Sequence, residues 1–322
     1  MKITKVSKEF SPLCGGIFFE IDTEQNEPTS VTAEIVDVET GEVVATQHLR
    51  EITAAKVNIA PYVKRFDEYA PTAPLQLTTF IEAPTASYRL RIGDIESEEV
   101  AVSVNRCDVL SLPTMISSLP LSRRIAHGEN DEILIMAERG RTISAQIVTN
   151  TGESLHLEHL STTGVATLVI STEDFDDDVR SLDITLYCDD DAFDSLSYKV
   201  MPTYKTYTRL AWISACGSIE RYTFPIAYKS VRSVSKQVVA TTEGATTTNC
   251  KTEYKVSLSS RFESQATIDA LSQIVSSPKV WIEQNGELER VGIASSVIEQ
   301  DLFGSPSHIS IDVCLRQREV SL

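Results

Sequence analysis

The sequence lacks the short motifs that carry enzyme chemistry. It contains no GxSxG nucleophile elbow, no Walker loop, no GxGxxG fingerprint and no protein-kinase signature. Each of these motifs holds a nucleophile or a phosphate-binding backbone in a fixed geometry, so their absence disfavours nucleophilic hydrolysis, nucleotide binding and phosphoryl transfer. We therefore expect a protein that is not an enzyme and that holds no cofactor.

Long apolar runs and paired cysteines are missing as well. No stretch of 18 consecutive apolar residues occurs, which disfavours a membrane span, and the first nine residues lack the apolar core of a signal peptide. We therefore expect a product made in a reducing cytosol. None of the six cysteines forms a CxxC pair, which disfavours a metal cluster or a disulfide framework and favours small buried side chains: Cys14, Cys107, Cys188, Cys216, Cys250 and Cys314.

Positive charge is scarce in the first two thirds of the chain. Residues 1–204 hold 16 Lys and Arg against 34 Asp and Glu, a net charge of −18, whereas residues 205–322 hold 13 against 12, a net charge of +1. The acidic part repels phosphate backbones, so nucleic acid is not an expected partner. The neutral part lacks this repulsion and is the better candidate for packing against other subunits.

What the sequence does have is a succession of short strand patterns. Residues 30–38 alternate apolar and polar side chains, and a Glu-Thr-Gly turn leads to a second strand over 42–49. Further strands are predicted over 16–21, 56–59, 75–81, 87–92 and 98–104, with one helical turn within 60–69. This spacing predicts an immunoglobulin-like or fibronectin-like β-sandwich over residues 1–105.

The remaining residues predict two further units. Residues 106–204 form a second acidic β-rich domain with six predicted strands, at 133–136, 142–148, 154–160, 165–170, 182–188 and 196–201. Residues 205–322 predict an α+β unit, because one amphipathic helix, capped by Ser264 and ended by Pro278, stands among strands. Strands are predicted over 208–214, 221–224 and 309–315. A long β-ribbon is predicted from strands over 230–239 and 251–258, with a polar Thr-rich tip over 241–249. Asn285-Gly286 predicts a hairpin between strands over 279–283 and 289–293.

Three residue clusters have a weak chemical interpretation. Cys216 lies beside a glycine but has no histidine near it in sequence, so a turn cysteine is favoured over a nucleophile. His156 and His159 point to opposite faces of a strand and would not share a zinc ion. The acidic loops at 173–178 and 189–194 supply carboxylates for calcium but lack the EF-hand glycine and distal glutamate, so solvated turns are favoured.

The last third has a distinctive order of residues: Trp212, Gly217 and Tyr222-Thr223-Phe224 precede a basic, polar β-ribbon, and a later helix ends in Ser277-Pro278 before a strand. In this order it resembles structural proteins of tailed bacteriophages and prophages of Bacteroidetes. The resemblance covers residues 205–322, and Ser214-Ala215-Cys216 departs from the usual Asn-rich, Gly-Gly turn. It implies a tail or baseplate role in the virion, within a ring of identical copies made in the host bacterial cytoplasm, alongside other tail proteins and without an active site.

These patterns make the C-terminal unit the expected assembly domain. Its aromatic cluster and the ribbon tip supply the interface candidates, which are Trp212, Tyr222, Phe224, Tyr228, Thr246 and Thr247. The alternative is a carbohydrate-binding or host-receptor-binding β-sandwich adhesion protein, because aromatic side chains also stack on sugars.

Overall fold

The chain is folded almost entirely as β-structure. A computed structural model describes residues 1–7, 10, 15–64, 66–202, 207–242, 244–284, 286–295 and 307–321. Within these ranges there are 24 strands, one α-helix and two short 3-10 turns, at Ala60–Tyr62 and Thr172–Asp174. The predicted fold class, two β-sandwich-like units followed by an α+β unit with one helix on an antiparallel sheet, is confirmed.

The first unit contains nine strands, all but one of which pack as two facing sheets. They are β1 (Lys2–Lys5), β2 (Phe18–Asp22), β3 (Thr29–Asp37), β4 (Val43–Ile52), β5 (Ala54–Asn58), β6 (Thr79–Glu82), β7 (Thr85–Ile92), β8 (Ile95–Glu96) and β9 (Val100–Ser103). One sheet has the order β1-β2-β5 and the other β4-β3-β7-β8, with β9 on β7. Phe19 and Val57 of the first sheet and Ile35, Tyr88 and Val102 of the second belong to one buried core.

The second unit adds eight strands. They are β10 (Thr114–Ile116), β11 (Ser122–Ala126), β12 (Asn130–Met136), β13 (Arg141–Thr149), β14 (Ser154–Ser161), β15 (Val165–Ser171), β16 (Ser181–Cys188) and β17 (Asp191–Met201). A five-stranded sheet has the order β11-β17-β16-β13-β14 and faces a four-stranded sheet of order β10-β12-β15-β6. All pairs in these two sheets are antiparallel except β11 with β17, which run parallel.

The four-stranded sheet lies between the two cores. Every residue of β12 and β15 is buried. Because successive side chains alternate between the faces of a strand, Ile133 and Ile135 enter the core of the second unit while Leu134 and Met136 enter the core of the first. The fourth strand of this sheet is β6, which precedes the predicted domain boundary at residue 105 and pairs with β15. The first and second units therefore share a buried layer, and the predicted domain limits stay a prediction.

The third unit is one seven-stranded sheet with a helix. Its elements are β18 (Thr208–Ile213), β19 (Ile219–Phe224), β20 (Ile226–Thr241), β21 (Gly244–Ser259), α1 (Gln265–Ser276), β22 (Val280–Gln284), β23 (Glu287–Ile293) and β24 (Ser310–Ser321). The strand order is β19-β18-β22-β23-β24-β21-β20. The β22–β23 hairpin forms as predicted, with Gly286 at a φ of 78°, and Asn285 lies outside the described residues.

The helix forms where the sequence predicts it. The Ser264 hydroxyl accepts a hydrogen bond from the Thr267 backbone N–H, which caps the first turn. Ile268, Leu271 and Ile274 are buried against the sheet, in one core with Trp212. None of the helices in the described ranges is long and apolar enough to cross a membrane.

Four strands escaped the sequence prediction. β8 and β10 have two and three residues, too few for an alternating pattern to be visible. In β1 (KITK) two of the four residues are lysines, and in β11 (SRRIA) two arginines follow each other, which hides the apolar face. Most other strands lie within a few residues of their predicted limits. β17 begins five residues and β21 seven residues before its predicted start, and β24 ends six residues beyond its predicted end. β21 thus includes residues 244–249 of the predicted polar tip, because the two strands of the ribbon stay paired up to Thr241 opposite Gly244.

We expect Gly217 to be required where the third unit contacts the first. A Cβ atom added there would lie 2.1 Å from the Val104 carbonyl oxygen, and the neighbouring Cys216 oxygen accepts a hydrogen bond of 2.8 Å from the Arg106 N–H. Gly152 has nearly the same φ, 92° against 94°, but open space around its Cα. Gly217→Ala should therefore lower the free energy of unfolding by about 1–3 kcal/mol more than Gly152→Ala, measured by urea denaturation. Equal losses would contradict the close approach.

Candidate functional site

Three of the predicted interface side chains lie inside the third unit. Trp212 and Phe224 have no exposed surface, and Tyr222 is 9% exposed. The rings of Tyr222 and Phe224 meet edge to face at 4.9 Å, and the Tyr222 hydroxyl donates to Glu263 Oε1 at 3.0 Å. These residues hold the core of the unit together, and another chain cannot reach them while that core is intact. Their part in an interface stays a prediction.

The other three candidates lie on the β-ribbon. Tyr228, in β20, is 57% exposed, and Thr247, in β21, is half-buried. The backbone of Thr246 pairs with Val239, and its side chain lies outside the described residues. The structure thus separates the predicted set into a buried aromatic group and an exposed ribbon group.

The ribbon is the longest paired element of the described chain. β20 and β21 each have 16 residues, and their register extends from Ile226 opposite Ser259 to Thr241 opposite Gly244. At about 3.3 Å per residue, each strand is roughly 50 Å long. β21 is covered on its other side by β24, whereas β20 is the last strand of the sheet, with no strand beyond it in the described ranges.

Side chains of β20 are exposed on both faces of the sheet. Tyr228, Val234, Val238 and Val239 are all between 45% and 57% exposed. Val238 and Val239 are neighbours in sequence and therefore point to opposite faces. Exposed apolar side chains beside an open backbone edge are the features that a further strand recognises.

A network of buried charges lies at the other end of this unit, where β19 packs against β12. Arg209 donates to Glu129 Oε2 at 2.8 Å and to the Thr223 hydroxyl at 2.7 Å. Arg221 donates to Glu132 Oε1 at 2.5 Å. All four charged side chains are at most 4% exposed. These contacts join the second unit to the third.

A third buried arginine extends the network. Arg123 of β11 lies 3.5 Å from Asp131 Oδ2, which also accepts a hydrogen bond of 2.7 Å from the Tyr198 hydroxyl. Glu220 of β19 accepts at 2.8 Å from the Ser117 hydroxyl in the segment that leads to β11. Charged groups of the network are thus partnered by other side chains of the same chain. This arrangement fixes the position of the second unit relative to the third.

Burial sets the ionisation of these groups. It raises the pKa of the Glu132 and Glu220 carboxyls, and the facing Arg221 and Arg123 lower it only in part. Burial lowers the pKa of Arg209, but the neighbouring carboxylates, Glu129 first, outweigh this and raise it. Arg209 therefore stays charged at neutral pH. Because their pKa values are raised, the Glu132 and Glu220 carboxyls take up protons more readily than exposed carboxyls do when the pH falls.

The remaining chemical candidates are placed apart from one another. The Cys107 thiol lies 4.0 Å from the Cys216 carbonyl oxygen, and burial followed by contact with Cys216 raises the pKa of Cys107 to about 12, so it stays protonated. His156 is exposed, while His159 stacks on Phe80 at 5.6 Å. Among the described residues, no three His, Cys, Asp or Glu side chains come together in a way that could hold a metal ion.

A cavity of about 530 Å³ lies beside the network. Its lining includes the rings of Phe66 and Tyr69 and the carboxyls of Glu82 and Glu132. Glu132 accepts from the Thr72 N–H at 2.7 Å as well as from its arginine, so this carboxyl is already held by the chain.

Comparisons with known proteins do not identify a family. A scan against protein-family models found no match, and a search of the curated proteins found none. Solved structures that match include domains 4–9 of the surface layer protein SbsC, at 10% identity over 99% of this chain, with a TM-score of 0.23. The chain covers 46% of the length of that structure, less than half.

Two further matches contain receptor or immunoglobulin domains. The chicken interferon gamma receptor alpha chain matches at 10% identity over 61% of this chain and 96% of its own, with a TM-score of 0.21. Dpr2 Ig1-Ig2 in complex with DIP-Theta Ig1-Ig3 matches at 10% identity over 97% of this chain and 88% of its own, with a TM-score of 0.20. TM-scores this low support no conclusion about function, which therefore rests on the geometry of the chain itself.

The buried network was missed by reasoning from the sequence, although a signal was present. Arg209 lies in the mainly apolar strand β18, Glu220 and Arg221 lie among the apolar and aromatic residues of β19, and Asp131 and Glu132 precede the apolar run of β12. A charge within a strand that is buried on both faces requires a partner, so these positions could have been proposed as a buried set. Which carboxylate meets which arginine depends on the packing of distant strands.

We expect the network to be sensitive to the loss of one partner. Arg209→Met leaves Glu129 buried without its counter-charge and should lower the free energy of unfolding by about 3–5 kcal/mol. The matched control is Arg91→Met, because Arg91 pairs with Glu34 at 2.8 Å with both side chains about one third exposed, and its loss should cost about 1 kcal/mol or less. Urea denaturation of the two variants measures the difference. A loss for Arg209→Met no larger than for Arg91→Met would show that the buried pair is not required.

Proposed function

We propose that this protein is a non-enzymatic structural subunit that assembles with copies of itself through its C-terminal unit. The observation that carries the proposal is β20, the last strand of its sheet in the described ranges, which is 16 residues long and exposes Tyr228, Val234, Val238 and Val239. A long edge strand with exposed apolar side chains is a template for pairing with another chain, and its charges select which chain can pair. Such an edge offers identical subunits a surface through which to assemble.

The body that bears the ribbon suits a structural role. The buried layer of β12 and β15 joins the first two units, and the pairs Arg209–Glu129 and Arg221–Glu132 join the second unit to the third. Such a body would hold the ribbon in a fixed direction, so that identical contacts between copies can close into a ring.

We further propose that the assembly is part of a bacteriophage virion, as a tail or baseplate protein. This step is supported by the resemblance of residues 205–322, in which Trp212 and Phe224 are core residues and the ribbon follows them. The partners would be identical copies and other tail proteins, and the site of synthesis the cytoplasm of the bacterial host.

Shortening the ribbon should weaken assembly without unfolding the subunit. Deletion of residues 241–249 leaves Lys236 opposite Cys250, joined by residues 237–240 as a new loop. We expect the wild-type chain to form a closed oligomer by light scattering and electron microscopy, and the deletion variant to be mainly monomeric with an unchanged thermal midpoint. A deletion variant that keeps the oligomer size of the wild type would contradict a role for the ribbon. A wild-type chain that is monomeric at every concentration would contradict the proposed function itself.

A further inference from the structure

The edge strand β20 carries charge of one sign only. Its sequence, IAYKSVRSVSKQVVAT, contains Lys229, Arg232 and Lys236 and no Asp or Glu. All three basic side chains are exposed. Basic residues on an edge strand are a common device against unwanted pairing, and they act most strongly against a strand of the same charge.

This charge disfavours pairing between two copies of β20. An overlap of two such strands places six basic side chains in one strand pair, without a carboxylate on either strand to offset them. Like charges opposite each other in a sheet are destabilising. A surface that supplies carboxylates is therefore the electrostatically favoured partner of β20.

The chain has such a surface on its second unit. Residues 106–204 hold 17 Asp and Glu against 7 Lys and Arg, a net charge of −10, compared with 17 against 9 in residues 1–105. The carboxylates at 176–178 and 189–191 are all exposed, and Glu158 projects from the edge strand β14 with 68% of its side chain exposed. A basic strand on one copy and an acidic unit on the next are complementary in sign.

We infer that the partner of β20 is the acidic second unit of another copy of this chain, contacted head to tail. The inference rests on the proposed function and specifies its interface. A head-to-tail contact uses different surfaces on the two copies, so it can be repeated around a ring without placing the basic strands side by side. The exposed apolar side chains of β20 then add contact area to the ionic attraction.

Carbodiimide cross-linking tests this arrangement directly, because it joins lysine amines to carboxylates that are already in contact. Chains with natural nitrogen and with nitrogen-15 are mixed at a concentration where they are monomeric, then concentrated and cross-linked. We expect mixed-isotope cross-links from Lys229 or Lys236 to carboxylates between residues 106 and 204. Cross-links confined to carboxylates in 205–322, or none from these two lysines in an assembled sample, would overturn the inference.

A charge-reversal variant provides the quantitative test. Lys229→Glu, Arg232→Glu and Lys236→Glu together should raise the midpoint concentration for assembly about tenfold or more. The control reverses three exposed basic residues outside both the ribbon and the second unit, Lys2, Arg50 and Lys56, and so changes the net charge equally. Equal effects of the two triple variants on an assembling chain would overturn the inference while leaving the proposed function in place. A wild-type chain that never assembles would overturn both.

Discussion

Three arginines are buried where the second and third units meet, and each has to be matched by a carboxylate. A buried charge without a partner costs several kcal/mol, so Arg209 and Arg221 can be enclosed only if Glu129 and Glu132 lie opposite them. This requirement restricts how β19 packs against β12, because a displaced arrangement would separate several pairs at once. The apolar cores supply most of the stabilisation, while the charges select one relative position of the units.

The direction of the ribbon depends on this junction. β19 contributes Arg221 to the network and belongs to the same seven-stranded sheet that ends in β20. The second unit is in turn held to the first through β12, whose two faces enter two different cores. The exposed edge of β20 is therefore presented by a supported body, and a supported edge loses less conformational freedom when it pairs with another chain.

The sequence predicted the strands and the helix far better than it predicted the site. Alternation in β3 and the Ser264 cap of α1 are local signals, and both are confirmed. The burial of Trp212 inside the chain and the pairing of Arg209 with Glu129 depend on residues far apart in sequence, which no local pattern reveals. The β-ribbon was predicted from its strand pattern, but its position at the sheet edge follows only from the order of the seven strands.

The central claim is that the edge of β20 is the element through which copies assemble. Hydrogen–deuterium exchange at low and high chain concentration measures this most directly, because a strand that gains a partner gains backbone hydrogen bonds. We predict that amides of Ile226–Thr241 exchange more slowly at the concentration where the oligomer forms, while those of Val43–Ile52, the edge strand β4 of the first unit, do not change. Equal exchange of β20 at both concentrations, in a sample shown to be assembled, would contradict the account.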